Sequence, residues 1–179
     1  MRRRQQAPSG SRRSAREHAF RVIFEAQQGS GTPTDAWNRT AAAMRDPEDD
    51  TYPVLSDEAL AFSRQLVDGY AHQQARIDAA LEASIEGWTF KQMAQTDLNV
   101  LRVATFELLN LDTPAGAVIE SAVRIARKFG GDESGRFVHG VLARLLKRLE
   151  AGQLERGAVT TPAGGQEETF EPQEEEDHG

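Results

Sequence analysis

The stretch from Asp132 to Leu149 places the strongest constraint on what this chain can fold into. Its apolar side chains recur at intervals of three and four, at Phe137, Val138, Val141, Leu142, Leu145 and Leu149. This spacing puts them on one face of an α-helix, and so continuous a face must be buried against other elements. Its basic side chains fall elsewhere on the helix, at Arg136, Arg144, Lys147 and Arg148. The stretch therefore predicts a helix with a buried side and a cationic surface beside Phe137.

Helical spacing recurs along most of the chain, and it predicts an all-α protein. No run alternates with period two as a half-buried strand would, so about six or seven helices are expected. The main predicted helices cover 14–28, 33–45, 56–86, 96–109, 114–130 and 132–152. Helix-capping side chains are expected at Ser14, Ser56, Thr96 or Asp97, and Asp132. At the Gly87 corner, Trp88 and Phe90 are expected to fill the core rather than bind a ligand.

Charge is distributed very unevenly between the two ends of the chain. The net charge is −7, yet residues 1–24 hold seven arginines against the single acid Glu17. Residues 166–179 hold seven acids and no base, and the rest of the chain balances 21 bases with 21 acids. The negative net charge therefore comes from the C-terminal tail, and the rest of the chain is neutral overall with local basic patches.

The 179 residues suffice for one domain with a substantial core. Residues 1–13 and 153–179 have little to bury and are expected to be disordered, as a basic arm and an acidic tail. The helical domain is accordingly expected at 14–152.

Several functional classes are disfavoured by what the sequence lacks. There is no cysteine, and none of the four histidines has a second candidate ligand at a standard metal spacing. The glycines at 130, 131 and 135 follow a helix and lack the Lys-Ser or Lys-Thr ending of a phosphate loop. We therefore expect no catalytic site, no metal and no cofactor. No apolar run is long enough to cross a bilayer, so a cytoplasmic protein without a membrane partner is expected.

Arginines at the start of the first predicted helix indicate an anionic polymer as partner. Arg12, Arg13 and Arg16 lead directly into this helix, and we expect them to bury little. Arginine grips phosphate oxygens in pairs, and each neutralised phosphate releases counterions. RNA is the first candidate, and a solvated arm without a ligand is the alternative on charge alone.

The acidic tail admits two interpretations. It either folds back on the basic arm or on the basic side of the last helix and competes with RNA, or it only keeps the protein in solution. The sequence leaves both open.

Four groups of residues make the chain resemble the NusB family of bacterial transcription antitermination factors. The resemblance covers roughly 12–149 and rests on Arg12-Arg13-Ser14-Ala15-Arg16-Glu17 running into Phe24, on Asp97 to Leu108, on Pro114 to Gly130, and on Phe137-Val138-His139-Gly140-Val141-Leu142. Histidine stands at 139 where the family usually has asparagine, and phenylalanine stands at 24 and 106 where it usually has tyrosine.

The resemblance implies two packed helical bundles and a role in ribosomal-RNA transcription. It implies binding of single-stranded boxA-type RNA, a heterodimer with the ribosomal protein NusE, and work within the RNA polymerase antitermination complex. The RNA-binding residues that it implies are Arg12, Arg13, Arg16, Phe24, Arg136 and Phe137. Those that it implies for the partner are Asp132, Glu133 and Phe137.

Two other readings share these helices. A NusB-like domain of a ribosomal-RNA methyltransferase would need a cofactor-binding domain, and no Gly-rich loop after a strand follows Gly152. A helical protein-interaction module without specific RNA binding or enzymatic activity fits the same pattern, and only binding to RNA separates it from an antitermination factor.

Overall fold

The structure, a computed structural model, describes residues 8–29 and 31–164. Arg2 to Arg4 and the acids of the C-terminal tail lie outside these residues. Six α-helices and one 3-10 helix make up the described part, which confirms the all-α prediction. The helices are α1 (Arg12–Gln28), α2 (Pro33–Arg45), α3 (Asp57–Ser84), the 3-10 helix (Phe90–Gln92), α4 (Gln95–Asn110), α5 (Ala115–Gly130) and α6 (Asp132–Glu150).

Two bundles share the long helix α3. Its first half packs with α1 and α2, its middle and second half pack with α4, and its end contacts α6, while α5 pairs most closely with α6. The backbone of Gln73 leaves helical geometry between the two halves, at φ −116° and ψ 20°. One continuous hydrophobic core runs through both bundles.

α4 is the central helix, as its apolar circumference predicts. Every residue from Asp97 to Asn110 is buried, including Glu107 and Arg102. α3 crosses α4 closely at Gly69, where an added Cβ would lie 2.0 Å from the ring of Phe106. Glycine is required there because the buried phenyl ring occupies the space of any side chain.

The predicted caps match at Ser56 and differ at the other helix starts; α4, for example, has Ala94 at its N-cap without a side-chain bond, and Thr96 and Asp97 lie in its first turn. Ser56 accepts from the Ala59 amide as expected. α1 begins two residues before the expected cap, because Ser11 and not Ser14 accepts the first amide. α6 begins with Asp132 as its first helical residue, and the preceding Gly131 makes the turn at φ 87°.

Trp88 and Phe90 do not both fill the core. Phe90 packs partly against the core, but Trp88 is 56 % exposed. The prediction for Trp88 is wrong, because the chain leaves α3 at Ser84 and carries the indole to the surface.

Residues beyond the expected domain boundaries have defined contacts. Ser9 pairs with Leu55 in an isolated β-bridge, and Thr160 pairs with Leu111 in another. The packed chain thus reaches Gly164 instead of ending at Gly152. We call residues 153–164 the C-terminal strap.

No helix within 8–29 and 31–164 has both the length and the apolar character that a membrane span requires.

His18 lies inside the first bundle within a chain of hydrogen bonds. Its Nε2 lies 2.8 Å from the Thr40 hydroxyl, which donates to the Trp37 carbonyl, so Nε2–H donates to Thr40. Its Nδ1 lies 2.6 Å from the Ser63 hydroxyl and accepts from it. The network thus assigns a neutral imidazole. Burial, with a smaller contribution from the charge of Arg21, lowers the pKa of His18 to about 4.

This histidine should make the protein less stable in mild acid. Above pH 6.5 the imidazole is neutral in both states and contributes no pH dependence. Between pH 6.5 and about 4 only the unfolded chain takes up the proton, so the free energy of unfolding falls as pH falls. The pKa difference corresponds to roughly 3 kcal/mol in total. Urea unfolding at pH 7, 6, 5 and 4 measures this loss, and a His18→Gln chain should lack this part of it. If the free energy of unfolding fell equally with pH in both chains, His18 would not be the neutral buried group assigned here.

Candidate nucleic-acid interface

Arg16 is buried and joins three helices. Its Nη2 lies 2.7 Å from Glu107 Oε1 and its Nε lies 2.8 Å from Glu107 Oε2, a bidentate pair between α1 and α4. Its Nη1 donates to the Ser121 hydroxyl on α5 at 2.9 Å. The side chains of Arg16 and Glu107 are 3 % and 0 % exposed. Such a pair is stable in the interior only because both charges have well-aligned partners.

The structure therefore does not place Arg16 on the surface expected to meet RNA, and the expectation that it buries little is wrong. The sequence contains the signal for this burial. Arg16 stands four and seven residues before Phe20 and Ile23, on the apolar stripe of α1. Glu107 interrupts the otherwise apolar α4. Two opposite charges on two buried faces indicate a buried ion pair.

Arg12, Arg13 and Arg16 form the arginine motif of α1, and the other two arginines of this motif differ from Arg16 in exposure. Arg12 is half-buried, with its guanidinium 5.1 Å from the centroid of the Phe62 ring. Arg13 is exposed, and within the described residues its side chain has no hydrogen bond or ion pair. Arg13 is therefore the arginine of the motif best placed to meet a phosphate.

Cations and aromatic rings lie together where α1 meets α5. Glu17, one turn after Arg13, pairs with Lys128 at 2.5 Å. The Lys128 ammonium lies 5.5 Å from the ring centroid of Phe129, which is 39 % exposed. We call Arg13, Glu17, Phe24, Lys128 and Phe129 the α1–α5 surface.

Phe24 is half-buried and continues this surface through the ring of Phe20. The Phe20 ring centroid lies 6.1 Å from that of Phe24 and 5.1 Å from that of Phe129. An open groove of about 770 Å³ begins beside these rings and reaches α2 and the loop around Tyr52. Arg21 and Arg39 also line the groove. The acids Glu25 and Asp49 line it too, and Glu25 pairs with Arg39, so it is the aromatic walls of the groove that suit unstacked bases.

Phe137 and Arg136 lie in a different setting from Phe24. The half-buried Phe137 ring meets the exposed Trp88 edge to face, with 6.4 Å between ring centroids. Arg136 is exposed on α6. The cationic surface expected on α6 is partly used within the fold, because Arg144 pairs with Glu86 at 3.2 Å and Arg148 donates to the Ala83 carbonyl at 2.8 Å.

Asp132 and Glu133 lie exposed in the first turn of α6, after the turn at Gly131. Behind them, burial raises the pKa of Asp97, and a hydrogen bond with Ser134 opposes that shift. Gly130 approaches the same place closely, since an added Cβ would lie 2.3 Å from the Ser134 hydroxyl. We call residues 130–134 the α5–α6 corner, which is closely packed at Ser134 and acidic on its exposed side.

Fold and surface together define the class of protein: two joined helical bundles whose α1–α5 surface carries an exposed arginine beside aromatic rings. No group of three His, Cys, Asp or Glu side chains within the described ranges could hold a metal ion. The profile of the NusB family matches residues 13–147. The chain belongs to the NusB family, which confirms the resemblance found in its motifs.

Relatives support this membership over most of the chain. A transcription antitermination protein NusB of Deinococcus deserti is 56 % identical over 152 residues, covering 84 % of this chain and 90 % of its own. That of Thermus thermophilus is 44 % identical over 143 residues, covering 80 % and 95 %.

Solved structures share the fold. A T. maritima NusB structure aligns with a TM-score of 0.65 at 27 % identity, covering 82 % of this chain and 99 % of that one. A chain in a crystal structure of the antitermination factors NusB and NusE with double-stranded RNA gives 0.65 at 22 % identity, covering 76 % and 96 %.

Replacing Arg16 should affect stability and leave RNA contacts unchanged. Arg16→Met leaves the Glu107 carboxylate buried without its partner, which costs about 3–5 kcal/mol. Arg16→Met with Glu107→Leu removes both charges and should recover much of that loss. Urea unfolding measures the stabilities, and RNA titration of the folded double variant measures any contact. If the double variant recovered its stability but lost RNA binding, Arg16 would be a residue that contacts RNA.

Proposed function

We propose that this protein binds single-stranded boxA-type RNA together with NusE and supports antitermination during ribosomal-RNA transcription. It does so in the cytoplasm, as part of an RNA polymerase complex and without catalysing a reaction. The proposal extends to this chain what the names of its relatives say of them.

The observation that carries the proposal is the juxtaposition of cations and aromatic rings on the α1–α5 surface. Arg13 supplies charge for a phosphate, Lys128 lies beside it in an ion pair with Glu17, and Phe24 and Phe129 supply ring faces for bases. Arg12 borders this surface, and Arg136 and Phe137 add a second contact region on α6. Arg16 acts through Glu107 by fixing the orientation of α1.

Support for both partners comes from the solved complex that contains NusB and NusE with double-stranded RNA. The RNA of that complex is a duplex, whereas the groove beside Phe24 favours unstacked bases. A duplex form of the same sequence therefore belongs among the RNA probes.

Arg13 and Phe24 should contribute to RNA binding through different physical effects. Arg13→Ala should weaken binding of a boxA-like single strand and reduce the slope of log affinity against log salt by roughly 0.7, the value for one lost phosphate contact. Phe24→Ala should weaken binding by about 1–3 kcal/mol through lost stacking and leave that slope unchanged. Fluorescence titrations at several salt concentrations measure both quantities.

The matched control is Arg64→Ala on α3, because the guanidinium of Arg64 is already engaged by Asp68 and the Trp37 ring. It should change neither affinity nor slope. A scrambled strand tests sequence preference. Equal binding of both strands, unaffected by Arg13→Ala, would favour a helical protein-interaction module without specific RNA binding.

For NusE we propose the α5–α6 corner as docking surface. Asp132 and Glu133 are exposed, lie in the first turn of α6 and carry charge opposite to that of a basic ribosomal protein. Phe137 lies one turn further along α6, where its ring and that of Trp88 offer apolar contact. RNA and NusE should strengthen each other's binding, since the two surfaces together span more contacts than either one.

Reversing the charge of this corner should weaken NusE binding. Asp132→Lys with Glu133→Lys touches no core position, and calorimetry with purified NusE should show at least a tenfold loss, the order of about 1.4 kcal/mol. Asp57→Lys with Glu58→Lys is the control, because it also places two cations in the first turn of a helix. Unchanged affinity in the corner variant, folded by circular dichroism, would locate the docking surface elsewhere.

A further inference from the structure

Both ends of the described chain converge on the start of α3. Near the N-terminus, the Ser9 amide donates to the Val54 carbonyl at 2.9 Å and the Ser56 amide donates to the Ser9 carbonyl at 2.8 Å. These two bonds fix residues 8–11 beside the first turn of α3, immediately before Arg12 and Arg13.

The C-terminal strap reaches the same place from the opposite end of the molecule. It leaves α6 and pairs with the end of α4, where the Gly157 amide donates to the Leu109 carbonyl and the Thr160 amide to the Asn110 carbonyl, at 3.0 and 2.8 Å. The side chain of Gln65 on α3 then holds it by two bonds. Its amide donates to the Thr161 carbonyl at 3.1 Å, and its oxygen accepts from the Ala163 amide at 2.7 Å.

The last described residue of the strap lies beside the basic motif. Gly164 packs on the backbone of Glu58, where an added Cβ would lie 3.1 Å from the Glu58 carbonyl oxygen. Ala163 and Gly164 line a small cavity together with Gly10, Arg12 and Phe62. The described part of the strap therefore ends beside the start of α1.

The residues that follow carry the strongest negative charge in the chain. The first acid, Glu167, comes three residues after Gly164, and seven acids lie between 167 and 177. Three residues span at most about 10 Å, which is close to the screening length at moderate salt. A tethered segment at this distance acts as an intramolecular ligand at an effective concentration of the order of millimolar.

The end of the strap favours one of the two basic regions that the tail could meet, because Gly164 lies beside Arg12. On α6, Arg144 and Arg148 are engaged by Glu86 and the Ala83 carbonyl, while Arg136 and Lys147 are exposed. Arg13 is exposed at the first turn of α1, where the helix dipole adds to the attraction for carboxylates.

We propose that the acidic segment 167–177 docks on the surface around Arg12 and Arg13 and competes there with RNA for the same cations. The tail is a built-in polyanion that an RNA must displace. The tail lowers the apparent affinity of every RNA that uses these cations by the same factor, so at a given RNA concentration only the tighter-binding RNAs remain bound. Competition rests on the proposed RNA binding, whereas docking of the tail does not.

Docking is tested without RNA by paramagnetic relaxation. The chain has no cysteine, so Thr169→Cys gives a single site for a nitroxide label and keeps all seven acids. We expect the label to broaden the amide signals of 11–14 at low salt, and not those of 146–150, with the effect lost near 1 M salt where screening acts over about 3 Å. Broadening that is absent at 11–14, or equal at both places, would overturn the proposal.

Competition is tested with a full-length chain whose seven tail acids become Gln or Asn. This chain should bind a boxA-like strand about fivefold more tightly at low salt, the order expected from several weak exposed ion pairs. The difference should vanish near 1 M salt. Gln65→Ala, which loosens the strap and leaves net charge unchanged, should give part of the gain and so separates local docking from a general charge effect.

The outcomes distinguish docking of the tail from its competition with RNA. Equal RNA affinity of the parent, neutral-tail and Gln65→Ala chains at low salt would overturn competition while RNA binding stands. If none of the chains binds RNA but the label still broadens 11–14, the proposed function fails and the docked tail remains. The strap itself must be kept in every variant, because Thr160 pairs with Leu111.

Discussion

The buried ion pair between Arg16 and Glu107 fixes the position of α1 against α4, and its third bond to Ser121 adds α5. Removing two charges from water costs several kcal/mol each, so the pair is stable only when its bidentate geometry is kept. A slide of α1 by one residue would leave a carboxylate and a guanidinium unpaired in the core. The pair therefore selects one register among those that the apolar faces alone would allow.

That register creates the α1–α5 surface. Because Arg16 points inward, Arg13 and Glu17 point outward, and Glu17 meets Lys128. The rings of Phe20 and Phe129 then contact each other in a tilted arrangement beside Phe24. An arginine motif is thus divided by the fold: one member holds the helix in place, and its neighbours remain at the surface.

The distribution of charge along the chain determines its surface more than the net charge does. A chain with net charge −7 has a surface with exposed cations, because a quarter of its acids lie beyond residue 165. The C-terminal strap ends next to Arg12, held by backbone bonds to α4 and by the two side-chain bonds of Gln65. Both ends of the described chain thus meet at the start of α3.

The sequence by itself determined the helices, the central place of α4 and the family, because helical periodicity and the motif blocks are local properties. It also placed Asp132 and Glu133 at an exposed helix start. Only the tertiary structure decided which arginine is buried, where Trp88 lies and how far the packed chain extends. Arg16 pairs with a residue 91 positions away, and Gln65 holds a strap 96 to 98 positions away. Local patterns do not fix such partners, because burial of a charge depends on whether a distant opposite charge arrives beside it.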